Sequence, residues 1–231
     1  MKAVDRRDQA AQVAIVRISL MSRVAAYQKF RDRLLSGELS PGQFVTQKEL
    51  AQLAGVPIGT AREAILKLEH DSLLKVHPQR GIQITDITTK FIRDAYGLRL
   101  TLERHAMSEF ASGEFTAAVG ALLKTTRDAR DALLEEMSDQ SLEHAVDVDW
   151  QMHDTIIECM GNDLLVESYQ INAARLRLIK VNNRLSHDRA VEALNEHLEM
   201  LERCERQDAA AASEALVRHI DTSMNRALQG K

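Results

Sequence analysis

Residues 46–71 read TQKELAQLAGVPIGTAREAILKLEHD, and this stretch has the pattern of two short helices joined by a tight turn. Thr46 followed by Glu49 forms a capping box, in which a hydroxyl and a carboxylate bond the free amides at a helix start. Gly55 ends this short helix, and a second apolar stripe runs from Ile58 to Asp71. The stretch therefore predicts a helix-turn-helix.

Both flanks of this stretch extend the prediction. Before it, residues 22–36 place apolar side chains at spacings of three and four, which indicates an amphipathic helix that ends at Gly37. After it, residues 73–77 and 82–84 are β-prone runs on either side of the turn-rich tetrad PQRG. A hairpin there predicts the wing of a winged helix-turn-helix.

The remainder of the chain is predicted to be helical. From Thr88 onward there is no proline, and the pattern reads as about six amphipathic helices. With 231 residues, the chain is long enough for two compact domains. We expect a mostly α fold, with a leader of unknown role at 1–21, a winged helix-turn-helix at 22–86, a linker at 87–91 and an all-helical domain at 92–231.

Charge is distributed unevenly between the two predicted domains. Residues 1–84 carry 13 Lys and Arg against 8 Asp and Glu, whereas the remainder carries 17 against 26. A basic segment on an acidic body is typical of a nucleic-acid-binding module joined to a separate sensor.

Several sequence features point to the cytoplasm. No run approaches the ~18 apolar residues of a membrane span, and no signal peptide is evident. Cys159 and Cys204 are single and far apart, which fits a reducing compartment.

Two pairs of residues in the helical part are candidate metal ligands. Asp149 and His153 are four apart and share one helical face, although a lone pair of this kind is more often hydrogen-bonded or solvated. His197 and His219 lie mid-helix among apolar neighbours. If all four converge, they suit Zn, Ni, Mn or Fe with positions open for water or a ligand.

Three further residues are candidates for binding an effector. Arg99 is suited to pair with an effector carboxylate, and a buried structural pair with Glu103 is the alternative. Asn172 and Arg175 are weaker candidates, because their helix face also carries packing residues. The other histidines are interpreted as surface or outer-shell residues, namely His70, His77, His105, His144 and His187.

The run from Arg31 to Ile84 resembles the GntR family of bacterial regulators. The matching pieces are SGELSPG at 36–42, ELA at 49–51, GV at 55–56, AREAI at 61–65, LE at 68–69 and RG at 80–81. The resemblance implies a homodimer that binds double-stranded DNA through Lys48, Gly59, Thr60, Arg62, Arg80 and Gly81.

One position departs from that family pattern. The family usually has a Ser-Arg or Thr-Arg pair where this chain has Pro57-Ile58. Ile58 is suited to pack on a thymine methyl. We therefore expect a half-site that differs from the guanine-containing ones common in the family.

Residues 92–229 resemble the FCD sensor domain that accompanies this DNA-binding class. The matching pieces are Leu98-Arg99 with Glu103, Asp149-x-x-x-His153, Gly161-Asn162, Glu196-His197 and His219. The resemblance implies a divalent metal on Asp149, His153, His197 and His219, with a small organic acid effector beside it.

The leading hypothesis is a ligand-responsive repressor that binds a pseudo-palindromic operator as a dimer. A constitutive repressor with a purely structural metal is an alternative. A metalloenzyme is a further one, but no general base or HExxH arrangement accompanies the histidines. We expect no enzymatic activity.

Overall fold

A computed structural model describes residues 25–181 and 185–230. The predicted leader at 1–21 and the start of the first predicted helix lie outside the described residues. The chain divides into two compact units, one ending at Ile87 and the other beginning at Thr88.

The first unit is a winged helix-turn-helix. Helix α1 covers 25–35. It is followed by β1 (Phe44–Val45), α2 (Gln47–Ala54), α3 (Ile58–His70), β2 (Leu74–His77) and β3 (Gly81–Ile84). The strands form an antiparallel sheet in the order β1-β3-β2.

The two central helices begin and end where the sequence predicts, to within one residue. Thr46 accepts a hydrogen bond from the Glu49 amide, and the Glu49 side chain accepts one from the Thr46 amide, so the capping box is present. Gly55 ends α2 in the left-handed conformation with φ 62°. Helix α3 ends at His70, and its C-cap is Asp71.

The wing contains a strand that the sequence pattern missed. Strand β1 has two residues, with Phe44 opposite Gln83 and Val45 opposite Ile82 of β3. Two residues are too few to show the alternation by which strands are recognised in a sequence.

The second unit consists of helices α4 (Thr89–Phe110), α5 (Thr116–Glu135), α6 (Asp139–Glu158), α7 (Asp163–Val181), α8 (His187–Glu205) and α9 (Ala209–Gln229). Thr88 caps α4 by accepting a hydrogen bond from the Phe91 amide. Residues 89–91 are therefore helical rather than part of the expected linker, because a threonine in the extended conformation begins the helix there.

The helices pack so that three of them can supply side chains to one point. Helix α4 lies against α9 and α7, while α5 lies against α8 and α6. Helices α8 and α9 pack on each other, and α6 contacts α4, α8 and α7.

Among the described residues, none of the helices combines the length and the apolar character that a membrane span needs.

Candidate metal centre and nucleic-acid interface

Helices α6, α8 and α9 bring four potential metal ligands together in the interior of the second unit. Asp149 and His153 come from α6, His197 from α8 and His219 from α9, and all four are buried. One ligand atom of each lies within 4.8 Å of the others. The two α6 residues at spacing i and i+4 thus lie beside His197 and His219, which are distant in sequence.

The closest ligand atoms have the spacing that a bound ion requires. His197 Nε2 lies 3.3 Å from His219 Nε2 and 3.3 Å from Asp149 Oδ1. Two nitrogens that are each about 2.0–2.1 Å from one tetrahedral ion lie roughly 3.3 Å apart. The spacing therefore fits a shared ion.

Carboxylates lie beside the outer nitrogens of two of these histidines, and Glu196 forms a hydrogen bond with one of them. His219 Nδ1 donates to Glu196 Oε2 at 2.6 Å, and Arg189 donates two hydrogen bonds to Glu196 at 2.7 and 3.1 Å. His153 Nδ1 lies 2.8 Å from Glu103 Oε2. Such partners fix the ring orientation and leave the opposite nitrogen free for a metal.

The pKa values of His197 and His219 favour neutral, metal-binding imidazoles. Burial, together with the nearby His219, lowers the pKa of His197 well below its ordinary value. Burial also lowers the pKa of His219 to about 4, although its hydrogen bond to Glu196 acts in the opposite direction. Burial disfavours the charged form of Glu196, but hydrogen bonds from His219 and Arg189 outweigh it and lower its pKa to about 2.

The Glu196 carboxylate also determines which nitrogen of His219 carries the proton. An ionised carboxylate only accepts hydrogen bonds, so the proton of neutral His219 resides on Nδ1. Its Nε2 lone pair then points toward His197 and Asp149, as metal binding requires.

Each carboxylate that contacts the centre is paired with a cation. Glu103 Oε1 accepts from Arg99 Nε at 2.8 Å, and Asp149 Oδ2 accepts from Lys180 Nζ at 3.2 Å. With the Arg189 and Glu196 pair, three negative and three positive groups surround the histidines. A divalent ion would therefore add two uncompensated positive charges.

Some buried polar atoms near the centre have no hydrogen-bond partner among the described residues. They include His153 Nε2 and His197 Nδ1. A buried polar atom without a partner costs free energy. A metal on His153 Nε2 would remove one of these costs, which is a second sign that the residues fit an ion.

In the first unit, several of the predicted DNA-binding residues are available at the surface. Lys48 and Arg62 are exposed, and Thr60 is half-buried near the start of α3. Ile58 is 55 % exposed at the first position of that helix. Ile58 and Thr60 thus lie in the first turn of α3, Arg62 follows in the next turn, and Lys48 lies on α2.

The wing positions its arginine through an exposed aromatic ring. The Arg80 guanidinium carbon lies 5.5 Å from the centroid of the Phe44 ring, and Phe44 is 43 % exposed. Gly81 follows with φ 99°, and a Cβ there would come within 3.0 Å of the Val45 carbonyl oxygen. Only glycine fits this close approach between β3 and β1.

Comparison with known families then identifies the chain. The model of the FCD domain matches residues 94–222, and the model of bacterial regulatory proteins of the gntR family matches residues 23–84. The chain belongs to the GntR family. It is a bacterial GntR-family transcriptional regulator with an FCD domain and, like its family, a regulator rather than an enzyme.

Individual relatives of this GntR-family regulator are distant but span most of its length. The regulator YdhC of Bacillus subtilis is 23% identical, and the alignment covers 84% of this chain and 86% of YdhC. The Escherichia coli repressor RspR is 22% identical, and the alignment covers 84% of this chain and 83% of RspR.

Solved structures of GntR-family regulators share the fold. E. coli McbR/YncC gives a TM-score of 0.67 at 18% identity, covering 90% of this chain and 97% of its own. A GntR regulator from Rhodococcus sp. RHA1 gives 0.69 at 19% identity with the same coverage.

The predicted effector residues of this GntR-family regulator differ in their surroundings. Arg99 is fully buried and forms the structural pair with Glu103, yet its two terminal nitrogens have no hydrogen-bond partner in the described part of the chain. Asn172 is buried, with Nδ2 bonded to the Ala95 carbonyl at 2.9 Å and Oδ1 without a partner among those residues. Arg175 is half-buried on the same helix, α7.

Sequence reasoning did not single out several residues that surround the centre. The sequence points to Glu196 only through the resemblance to the FCD domain, and no motif in it indicates Lys180 or Arg189. Arg189 and Glu196 are seven apart on one helix, a spacing that could have suggested their pairing. No local pattern links Lys180 to Asp149, because they lie on different helices.

Proposed function

We propose that this chain is a ligand-responsive repressor that binds a pseudo-palindromic operator as a homodimer in the cytoplasm. In this proposal, the FCD domain holds a divalent metal and senses a small organic acid beside it. The observation that carries the proposal is the buried convergence of Asp149, His153, His197 and His219. Arg99, whose two terminal nitrogens have no hydrogen-bond partner among the described residues, pairs with Glu103, the carboxylate beside His153.

The ligand chemistry supports a transition metal or zinc at this centre. Three imidazoles and one carboxylate suit Zn, Ni, Mn or Fe, and they leave coordination positions open in sites of more than four ligands. The bound ion would act as a Lewis acid that holds an oxygen of the effector. The outer carboxylates Glu103 and Glu196 orient the histidines that face the ion.

The charges around the centre favour an anionic effector. The surrounding carboxylates and cations balance one another, so a divalent ion leaves an excess of positive charge in the interior. Buried charge that lacks compensation is costly. A carboxylate bound to the ion would offset this excess.

Arg99 is suited to bind the same anion. Its Nε is held by Glu103, which fixes the plane of the guanidinium, while the other two nitrogens are buried and unpaired among the described residues. A guanidinium offers two parallel donors that match a carboxylate. Asn172 is a further polar contact in this proposal, and Arg175 is a more peripheral one.

Regulation would follow from the spacing of the two DNA-binding units in the dimer. Helix-turn-helix dimers bind half-sites about 34 Å apart, one turn of DNA. Effector binding that favours a different spacing would prevent both units from binding at once. We therefore propose that effector binding releases the dimer from the operator.

A structural metal in a constitutive repressor is the second candidate, because ligands from three helices would also tie the bundle together. Gel shifts with the protein's own promoter test both. The proposed function predicts a palindrome-dependent band that organic acids weaken only when metal is present. A band that no acid changes favours the constitutive repressor, and indifference to DNA sequence overturns the operator proposal.

A further inference from the structure

Lys180, at the end of helix α7, contacts a carboxylate of the candidate metal centre. Its Nζ lies 3.2 Å from Asp149 Oδ2, whereas Oδ1 of the same carboxylate lies 3.3 Å from His197 Nε2. The two oxygens of Asp149 thus contact different partners, Oδ1 the His197 ring and Oδ2 the Lys180 ammonium.

An aromatic ring helps to hold the Lys180 ammonium in this position. Nζ lies 4.5 Å from the centroid of the Trp150 ring, and Trp150 follows Asp149 directly on α6 and is buried. A cation over an indole face is stabilised by the ring. Lys180 remains 34% exposed, so its side chain reaches the centre from the edge of the bundle.

Arg177 provides a comparison one turn earlier on the same helix. Its guanidinium carbon also lies 4.5 Å from the Trp150 ring centroid. Its ion pair, however, is with Asp154 at 3.5 Å, which is not one of the four candidate ligands. The two cations therefore share the ring but differ in whether they contact the centre.

Carboxylates bind metal ions through either one oxygen or both. We propose that Lys180 is a positioning residue that limits Asp149 to a single metal-binding oxygen and so keeps one coordination position free for an anionic ligand. This inference rests on the proposed function, because it requires a divalent ion at the centre.

The placement of Lys180 is difficult to explain by metal binding alone. An ammonium beside a metal-binding carboxylate repels the incoming ion. A centre that served only to bind an ion tightly would gain by losing this lysine. A centre that must leave room for an anion benefits from it, because Lys180 both occupies Oδ2 and adds a positive charge.

The test uses the full-length protein with Co²⁺ as a visible probe of coordination, in wild type, K180M and R177M. Without added anion, we expect the visible absorption of bound Co²⁺ to be weaker in K180M than in wild type and R177M. In K180M, Asp149 binds the ion through both oxygens, so the coordination number rises. In acetate titrations followed by the same absorption, we expect K180M to bind acetate about tenfold more weakly, the lower end of effects seen for outer-shell residues.

Further variants and a folding control complete the experiment. K180R keeps a donor to Oδ2 and should retain the wild-type spectrum. K180A, which also lacks a donor, replaces K180M if the latter does not fold, as judged by thermal unfolding without metal. A wild-type spectrum in K180M overturns the inference, even if acetate binding weakens, because the lysine would then contribute only its charge. Failure of the wild type to take up Co²⁺ overturns the proposed function itself and, with it, this inference.

Discussion

The Nε2 atoms of His197 and His219 lie 3.3 Å apart in the interior of the helical domain, although the two residues belong to different helices. At this distance either a proton on His197 Nε2 forms a hydrogen bond to His219 Nε2, or a shared cation lies between the two nitrogens. The packing of α8 against α9 at this point is therefore linked to whether the centre holds an ion.

Loss of one of these imidazoles should remove high-affinity metal binding. For His197→Ala, we expect metal affinity to fall at least about 100-fold, because an inner ligand matters at least as much as the outer partners. Calorimetric titration of Zn²⁺ into metal-free protein measures this. His105→Ala, at an exposed position of α4, is the control and should keep wild-type affinity. Equal affinity in the two variants would exclude His197 as a ligand.

The Glu196 carboxylate, which accepts a hydrogen bond from His219, should strengthen metal binding without being a ligand itself. Glu196→Gln removes the charged acceptor of the 2.6 Å hydrogen bond from Nδ1, and we expect metal affinity to fall about 10–100-fold. The matched control is Glu199→Gln on the same helix, where Glu199 is exposed and pairs with Arg218. If both glutamine variants bind metal as the wild type does, Glu196 has no role in orienting the imidazole.

The helix boundaries and the candidate ligands were predictable because their signals are local. The Thr46 capping box, Gly55 and the four-residue spacing of Asp149 and His153 each reflect a few neighbouring residues. The serine caps at Ser138 and Ser186 are likewise local signals, because each serine accepts a hydrogen bond from the amide three residues later.

The remaining features depend on which helices meet, and periodicity does not give this. Periodicity shows which face of α7 is buried but not that its last turn reaches Asp149 on α6. Strand β1 exists because Val45 pairs with Ile82, which lies far along the chain. Spacing also could not decide between the alternatives for Arg99. The structure shows the pair with Glu103, and within the described part of the chain the two terminal nitrogens of Arg99 have no hydrogen-bond partner.

The buried pair of Arg99 and Glu103 should contribute strongly to folding. Arg99→Met leaves Glu103 buried without its cation, and we expect the free energy of unfolding to fall by about 3–5 kcal/mol. Urea denaturation of metal-free protein checks this. Lys124→Met breaks an exposed pair of the same i,i+4 spacing with Asp128 and should leave the unfolding free energy unchanged. Comparable losses in both variants would show that burial does not set the strength of the Arg99 pair.

Arg62 should contribute to sequence-specific DNA binding. For Arg62→Ala, we expect a loss of about 1–3 kcal/mol in operator affinity and relaxed preference at one position of each half-site. Gel shifts with systematically mutated operators measure both effects. Arg127→Ala, an exposed arginine of α5, should bind the operator as the wild type does. Retention of full affinity by Arg62→Ala would remove this residue from the interface.

Ile58 should determine how this regulator departs from the usual half-sites of its family. Because Ile58 is exposed at the first position of α3, Ile58→Arg would place a guanidinium where base edges are read. We expect selection from random DNA to shift from a thymine to a guanine at one position per half-site. An unchanged preferred sequence would show that this position does not contact a base.

We propose that Asp149, His153, His197 and His219 together hold a divalent ion in this regulator. The most direct measurement is native mass spectrometry with elemental analysis of protein purified without chelator. We predict one divalent ion per chain, two per dimer, and its loss in a variant carrying both His197→Ala and His219→Ala. A metal-free wild type that also fails to take up added Zn²⁺, Ni²⁺, Mn²⁺ or Fe²⁺ would contradict the account.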